Sequence, residues 1–278
     1  MFSGRAILID RFVGELVLGY QQMYSQLMPD FPGIIKWTGR MSMEIIANSD
    51  ALYHDIEHSM MVTLVGQEIL RGKHLLEGGI GPREWLHFVL SLLCHDIGYV
   101  RGICPGDRDN VCVIDDKDGK LEIPPGATDA FLTPYHVERG KLFVRHRFGR
   151  NPLIDAELIC DNIENTRFPV PNANEKREVG SFPGLVQAAD LIGQMADPGY
   201  LRKLPALFYE FEETGATQRL GYNTPDDLRS AYPTFFWKMV HEHIAPGIRY
   251  LQVTEAGRQW IHNLHSHVFS QEHRAALS

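Results

Sequence analysis

The chain has 278 residues, 44% of them hydrophobic and 22% charged, with a net charge of −8 at neutral pH. That length buries a sizeable core in one domain or two, and the composition is ordinary for a soluble globular protein. An acidic chain without a basic stripe excludes a nucleic-acid polymer as its main partner. It leaves a small phosphorylated substrate open, because a bound dication supplies positive charge locally.

In chain order, Arg5, Asp10, Arg11 and Glu15 interrupt every early apolar run, so no secretory signal is expected, and no window approaches a membrane span. A cytoplasmic protein is the expectation. Helices are predicted near 5–27 and 54–71, and over 83–96, where Trp85, Phe88, Val89, Leu92 and Leu93 follow three-and-four spacing. Residues 101–132 depart from this pattern. Val111-Cys112-Val113-Ile114 and Lys120-Leu121-Glu122-Ile123 flank the acidic turn Asp115-Asp116-Lys117-Asp118-Gly119 and predict a small β-hairpin, placed to overhang the His95-Asp96 region as a lid.

Thr133-Pro134 and Asn151-Pro152 predict helix starts, with Thr or Asn as cap and Pro at the first helical position. Further helices are expected over 183–196, 198–213 and 247–270. Thr224-Pro225-Asp226-Asp227 opens another over 226–243, whose aromatic stripe is core or a homodimer surface. No linker or repeat interrupts the chain. The prediction is therefore one all-α domain over 1–278 with a hairpin insertion. Cys94, Cys104, Cys112 and Cys160 form no C-x-x-C pair and read as buried or incidental thiols.

The chemistry is concentrated in Tyr53-His54…His58, His95-Asp96 and Asp190. Four residues is about one helical turn, so His54 and His58 share a face, while His95-Asp96 offers an imidazole and a carboxylate at the end of an apolar helix. The mixed N/O set suits a divalent metal such as Mn, Fe, Ni, Zn or Mg.

These residues, in this order, resemble the HD superfamily of metal-dependent phosphohydrolases, especially its cyclic-nucleotide-phosphodiesterase-like branch. The resemblance covers about residues 50–215 and extends to Ile159–Thr166 and Gln187–Gln194, which look like that family's helix ending in Thr and its last ligand helix. It implies a helical bundle and hydrolysis of a phosphodiester or a nucleotide phosphomonoester by a metal-activated water. His58, His95, Asp96 and Asp190 would be metal ligands. His54 would be the catalytic general acid, and Asp96 would also act in catalysis by reaching a second metal. His136 is expected as a second-metal or neighbouring residue, and His146 as a surface or core histidine.

That branch carries a further His and then Pro-Gly after the His-Asp pair, where this chain has Gly98-Tyr99-Val100-Arg101. Gln194 points into the pocket or packs, and Arg101, Arg139 and Arg167 are each able to hold a substrate phosphate but are expected in solvent. Two alternatives stand beside hydrolysis. One is an HD-fold di-iron oxygenase, which needs both His136 and His146 at the centre; the other is a metal-containing binding module without turnover.

Overall fold

Asp55 starts the helix around which the others assemble: its Oδ1 accepts the backbone N–H groups of Glu57 and His58 at 2.9 and 3.0 Å, satisfying donors a helix start leaves open. The computed structural model describes residues 3–117, 119–167 and 180–277. Its helices are α1 (Gly4–Tyr24), α2 (Phe31–Ile46), α3 (Ile56–Glu77), α4 (Pro82–Cys94), α5 (His136–Phe148), α6 (Ala156–Glu164), α7 (Phe182–Met195), α8 (Tyr200–Glu213), α9 (Ala216–Leu220), α10 (Pro225–Phe235), α11 (His241–Leu251) and α12 (Glu255–Leu277). Strands β1 (Val111–Val113) and β2 (Lys120–Glu122) pair antiparallel with Val111 opposite Glu122. The predicted all-α class with a small hairpin is what the chain adopts. Among the described residues no helix is long and apolar enough to cross a membrane.

Helix α4 is buried at every residue from Trp85 to Cys94, the signature of a helix surrounded by others. Helices α3 and α7 cross closely at Gly193, where a side-chain carbon would lie 2.6 Å from the Cα of Val62. That approach sets Asp190 of α7 against His58 of α3. One apolar cluster runs from Ile9 to Val268 and takes in all four of the first helices.

Several predicted boundaries move. Thr133-Pro134 does not open a helix: Thr133 closes a 3₁₀ turn, Asp129–Leu132, by donating its hydroxyl to Ala130 O, and α5 begins at His136. Asn151-Pro152 makes a turn in which Asn151 Oδ1 accepts Leu153 N, and α6 starts later, capped by Asp155. The predicted 247–270 helix is two, because Thr254 caps a new start through Gly257 N. The predicted 226–243 helix begins at its Thr224 cap as expected but passes through a π turn, Phe236–Val240. Its stripe divides, with Tyr232, Phe236 and Val240 buried and Trp237 and Met239 exposed.

All four cysteines are buried and free. In the acidic turn, Asp115 Oδ1 accepts the N–H groups of Lys117 and Gly119; Asp118 lies outside the described residues.

None of the three expected solvent arginines is free. Arg101 pairs with Asp50 and Asp129, and Arg167 with Glu138 and Glu164. Arg139 is fully buried: Nε donates to Gly98 O at 2.8 Å, Nη2 to Val100 O at 2.8 Å and Asp107 Oδ2 at 3.0 Å, and Nη1 to Val113 O at 2.5 Å. It ties β1 and the Asp107 loop to the 3₁₀ turn Ile97–Tyr99. Removing one partner of a buried ion pair strands the other, so Arg139→Met is expected to destabilise the chain by about 3–5 kcal/mol. Urea unfolding measures this; a loss under about 1 kcal/mol would mean that the N–H groups of Gly102, Cys104 and Val113, which also donate to Asp107, suffice for its carboxylate.

Candidate metal centre

Helix geometry brings together residues far apart in the chain. Asp55 fixes the first turn of α3, so His58 points inward and is 4% exposed. Helix α4 ends at Cys94, and His95 and Asp96 follow as its cap and the first residue beyond, both buried. Asp190 enters from α7.

Four ligand atoms converge. His58 Nε2 lies 3.1 Å from Asp96 Oδ2 and 3.4 Å from Asp190 Oδ1. His95 Nε2 lies 3.1 Å from Asp96 Oδ2 and 3.6 Å from Asp190 Oδ1. Ligand atoms about 2.1 Å from one cation stand about 3.0 Å apart at a right angle and about 3.4 Å apart at the tetrahedral angle. The observed separations run from just above the first value to just above the second.

The hydrogen bonds around the cluster point the same way. Leu92 O accepts from His95 Nδ1 at 2.7 Å, which puts the ring proton there and turns the Nε2 lone pair toward the two carboxylates. His58 Nε2, His95 Nε2 and Asp96 Oδ2 are all buried without a well-directed hydrogen bond. Acceptors left without hydrogen-bond partners and aimed at one point could hold a cation between them. These groups fit a divalent metal ion.

Without a metal, protons take that place. Burial opposes charge on His58, yet the adjacent carboxylates of Asp190 and Asp96 raise it to about 9; burial likewise opposes charge on His95, while Asp96 and Asp190 hold it well above the usual imidazole range. Burial would raise both carboxyls, but the two imidazoles bring Asp190 down to about 2 and keep Asp96 well below the usual range.

His54 stands beside this cluster, and its ligand atom groups with those of His58 and Asp96. Its Nδ1 is 2.5 Å from Glu210 Oε2, and Glu210 Oε1 accepts the backbone N–H groups of Tyr53 at 2.6 Å and His54 at 3.2 Å. Burial would lower the His54 pKa, but Glu210 outweighs it and raises it.

Glu210, on α8 and 2% exposed, was not anticipated from sequence. The available signal was positional: Tyr200, Leu204 and Leu207 form the buried stripe of α8, and Glu210 continues it. A carboxylate on an apolar stripe calls for a buried partner.

His136 lies just outside the four-atom cluster, with Nε2 3.9 Å from Asp96 Oδ1. Its Nδ1 donates to Thr133 O at 2.6 Å, and burial lowers its pKa, so the neutral ring directs a lone pair at the centre. His146 is exposed on the last turn of α5, away from the place the oxygenase alternative requires. Gln194 lies within reach of the Tyr200 side chain.

A family model described as Npun_R2479-like matches residues 2–274. No curated protein and no solved structure matches the chain.

Proposed function

The chain belongs to the Npun_R2479-like family, and from its His/Asp centre we propose that it is a metal-dependent phosphohydrolase of the HD type, cleaving a small phosphodiester or nucleotide phosphomonoester. The observation that carries this reading is the His54–Glu210 pair set beside a four-atom ligand cluster. A metal site alone serves many ends; a carboxylate-backed imidazole next to one suits proton delivery in ester cleavage.

His58, His95, Asp96 and Asp190 would hold the cation, with His136 and Asp96 Oδ1 offering a position for a second one. A bound dication there supplies acidification of water and polarisation of a phosphoryl oxygen. Glu210 accepts the His54 Nδ1 proton and fixes that tautomer, leaving Nε2 as the atom that faces the centre. Glu210 stabilises the imidazolium and raises the His54 pKa, and the protonated ring would give its second proton from Nε2 to the departing ester oxygen. His58, His95, Asp96 and His136 beside it are buried, which would limit bulk water at that transfer.

The test is hydrolysis by purified protein across a panel of phosphodiesters and phosphomonoesters with Mn²⁺, Ni²⁺, Fe²⁺, Zn²⁺ or Mg²⁺. His54→Ala is expected to lower kcat by about 10²–10⁴-fold while retaining metal, and Glu210→Gln by about tenfold, with the alkaline limb of the pH–rate profile moved to lower pH because Glu210 no longer raises the His54 pKa. Wild-type protein that retains metal and turns over no ester would end the phosphohydrolase reading.

A further inference from the structure

Tyr99 lies at the centre of a three-ring stack. Its ring is parallel to His54 (centroids 4.5 Å apart, planes 15° apart) and, on the other face, to His136 (4.6 Å, 19°). It is 3% exposed. Its hydroxyl is 3.5 Å from His54 Nε2, too far for a strong hydrogen bond, and lies within reach of the Thr133 side chain.

The backbone on either side is held firmly. Gly98 lies so close to α5 that a side-chain carbon there would sit 1.8 Å from His136 O and 2.7 Å from Gly140 N. Arg139 binds the carbonyls of Gly98 and Val100, the two neighbours of Tyr99. No other residue type than glycine fits at 98, and the buried guanidinium leaves the turn no freedom to shift. The ring at 99 is thus a fixed wall rather than a packing residue that adapts to its surroundings.

We propose that Tyr99 is a positioning residue for His54, holding the plane of the imidazole so that Nε2 is aimed at the reacting ester. This rests on the reading of His54 as proton donor. The bond from Nδ1 to Glu210 holds the ring at one atom, but a single hydrogen bond tolerates a range of angles and so leaves a second freedom, the tilt of the ring plane. The Tyr99 face removes this second freedom, and His136 supports Tyr99 from behind. Hydrogen bond and stack together define one direction for Nε2, and misaiming a transferring group by about 1 Å costs as much as 10²-fold in rate.

The stack predicts that the ring, not the hydroxyl, matters. In the metal-loaded full chain, Tyr99→Phe should keep kcat within about threefold of wild type, while Tyr99→Leu should lose roughly 10- to 100-fold in kcat with KM little changed. Imidazole ¹H–¹⁵N spectra provide a readout that needs no turnover: the His54 Nδ1–H signal should be sharp in wild type and Tyr99→Phe, and broadened or lost in Tyr99→Leu. The proposal is overturned by Tyr99→Leu with wild-type kcat, by Tyr99→Phe as impaired as Tyr99→Leu, or by a Tyr99→Leu loss traced to missing metal. If wild type hydrolyses no ester, the proposed reaction fails on its own, and an unchanged His54 signal in Tyr99→Leu would still overturn the positioning role.

Discussion

Asp96→Ala is expected to strip the protein of bound metal and abolish ester hydrolysis, the largest effect of any single substitution at the centre. Asp96 Oδ2 is 3.1 Å from both His58 Nε2 and His95 Nε2, so this one oxygen faces both imidazoles. Loss of a partner outside the ligand set typically costs 10- to 100-fold in metal affinity or activity, and loss of the shared ligand should cost more than about 100-fold. The fold should survive. Asp190 still faces both imidazoles in the variant, and the apolar cluster around α4 does not involve the carboxylate. Metal analysis, circular dichroism and turnover on one preparation check all three statements. An Asp96→Ala protein that keeps stoichiometric metal and wild-type activity would remove Asp96 from the centre.

What the chain displays in sequence, and what it conceals, follows from the range of the interactions. The apolar run before His95 marks a helix buried all round, because no polar face interrupts it from Trp85 to Cys94. His54 and His58 read as a pair from spacing alone, although His54 in fact precedes α3 and is placed by Glu210, not by the helix. Glu210 stands 156 residues from His54, and a lone glutamate on a helix resembles a solvated one until its stripe is followed through Leu204 and Leu207.

The misplaced helix starts have a common local cause. Thr-Pro and Asn-Pro satisfy a helix cap, but they serve a turn equally well, and here the first helical hydrogen bonds form a few residues later. Arg139 was concealed for the opposite reason. Its partners are mostly backbone carbonyls of a loop and a hairpin, which carry no signature in sequence.

Removing the metal should lower thermal stability, and the difference should widen as pH rises. In the metal-free chain, His58 lies at about 9, above its ordinary value of 6.5. A raised imidazole pKa contributes stability that is fully present below the unfolded value and is lost as pH climbs through about 9. The metal-free protein therefore weakens from pH 6.5 upward. Asp190, lowered to about 2, contributes stability above its ordinary 3.8 that is lost only as pH falls through about 2, so it does not vary across this window.

The metal-bound chain behaves the other way. A cation at the centre must displace the protons from His58 and His95, so its affinity falls in acid and rises as those protons become easier to remove. A metal present at about 1,000 times its dissociation constant adds roughly 4 kcal/mol, which for a chain of this size is about 10 °C in Tm. Melting curves with and without a chelator, from pH 6 to pH 9, should show that gap near its smallest in acid and largest in base. Proton release on titrating metal into the apo protein in weak buffer should accompany it. A chelator effect of equal size at every pH, with no protons released, would place the cation somewhere other than between these two imidazoles and two carboxylates.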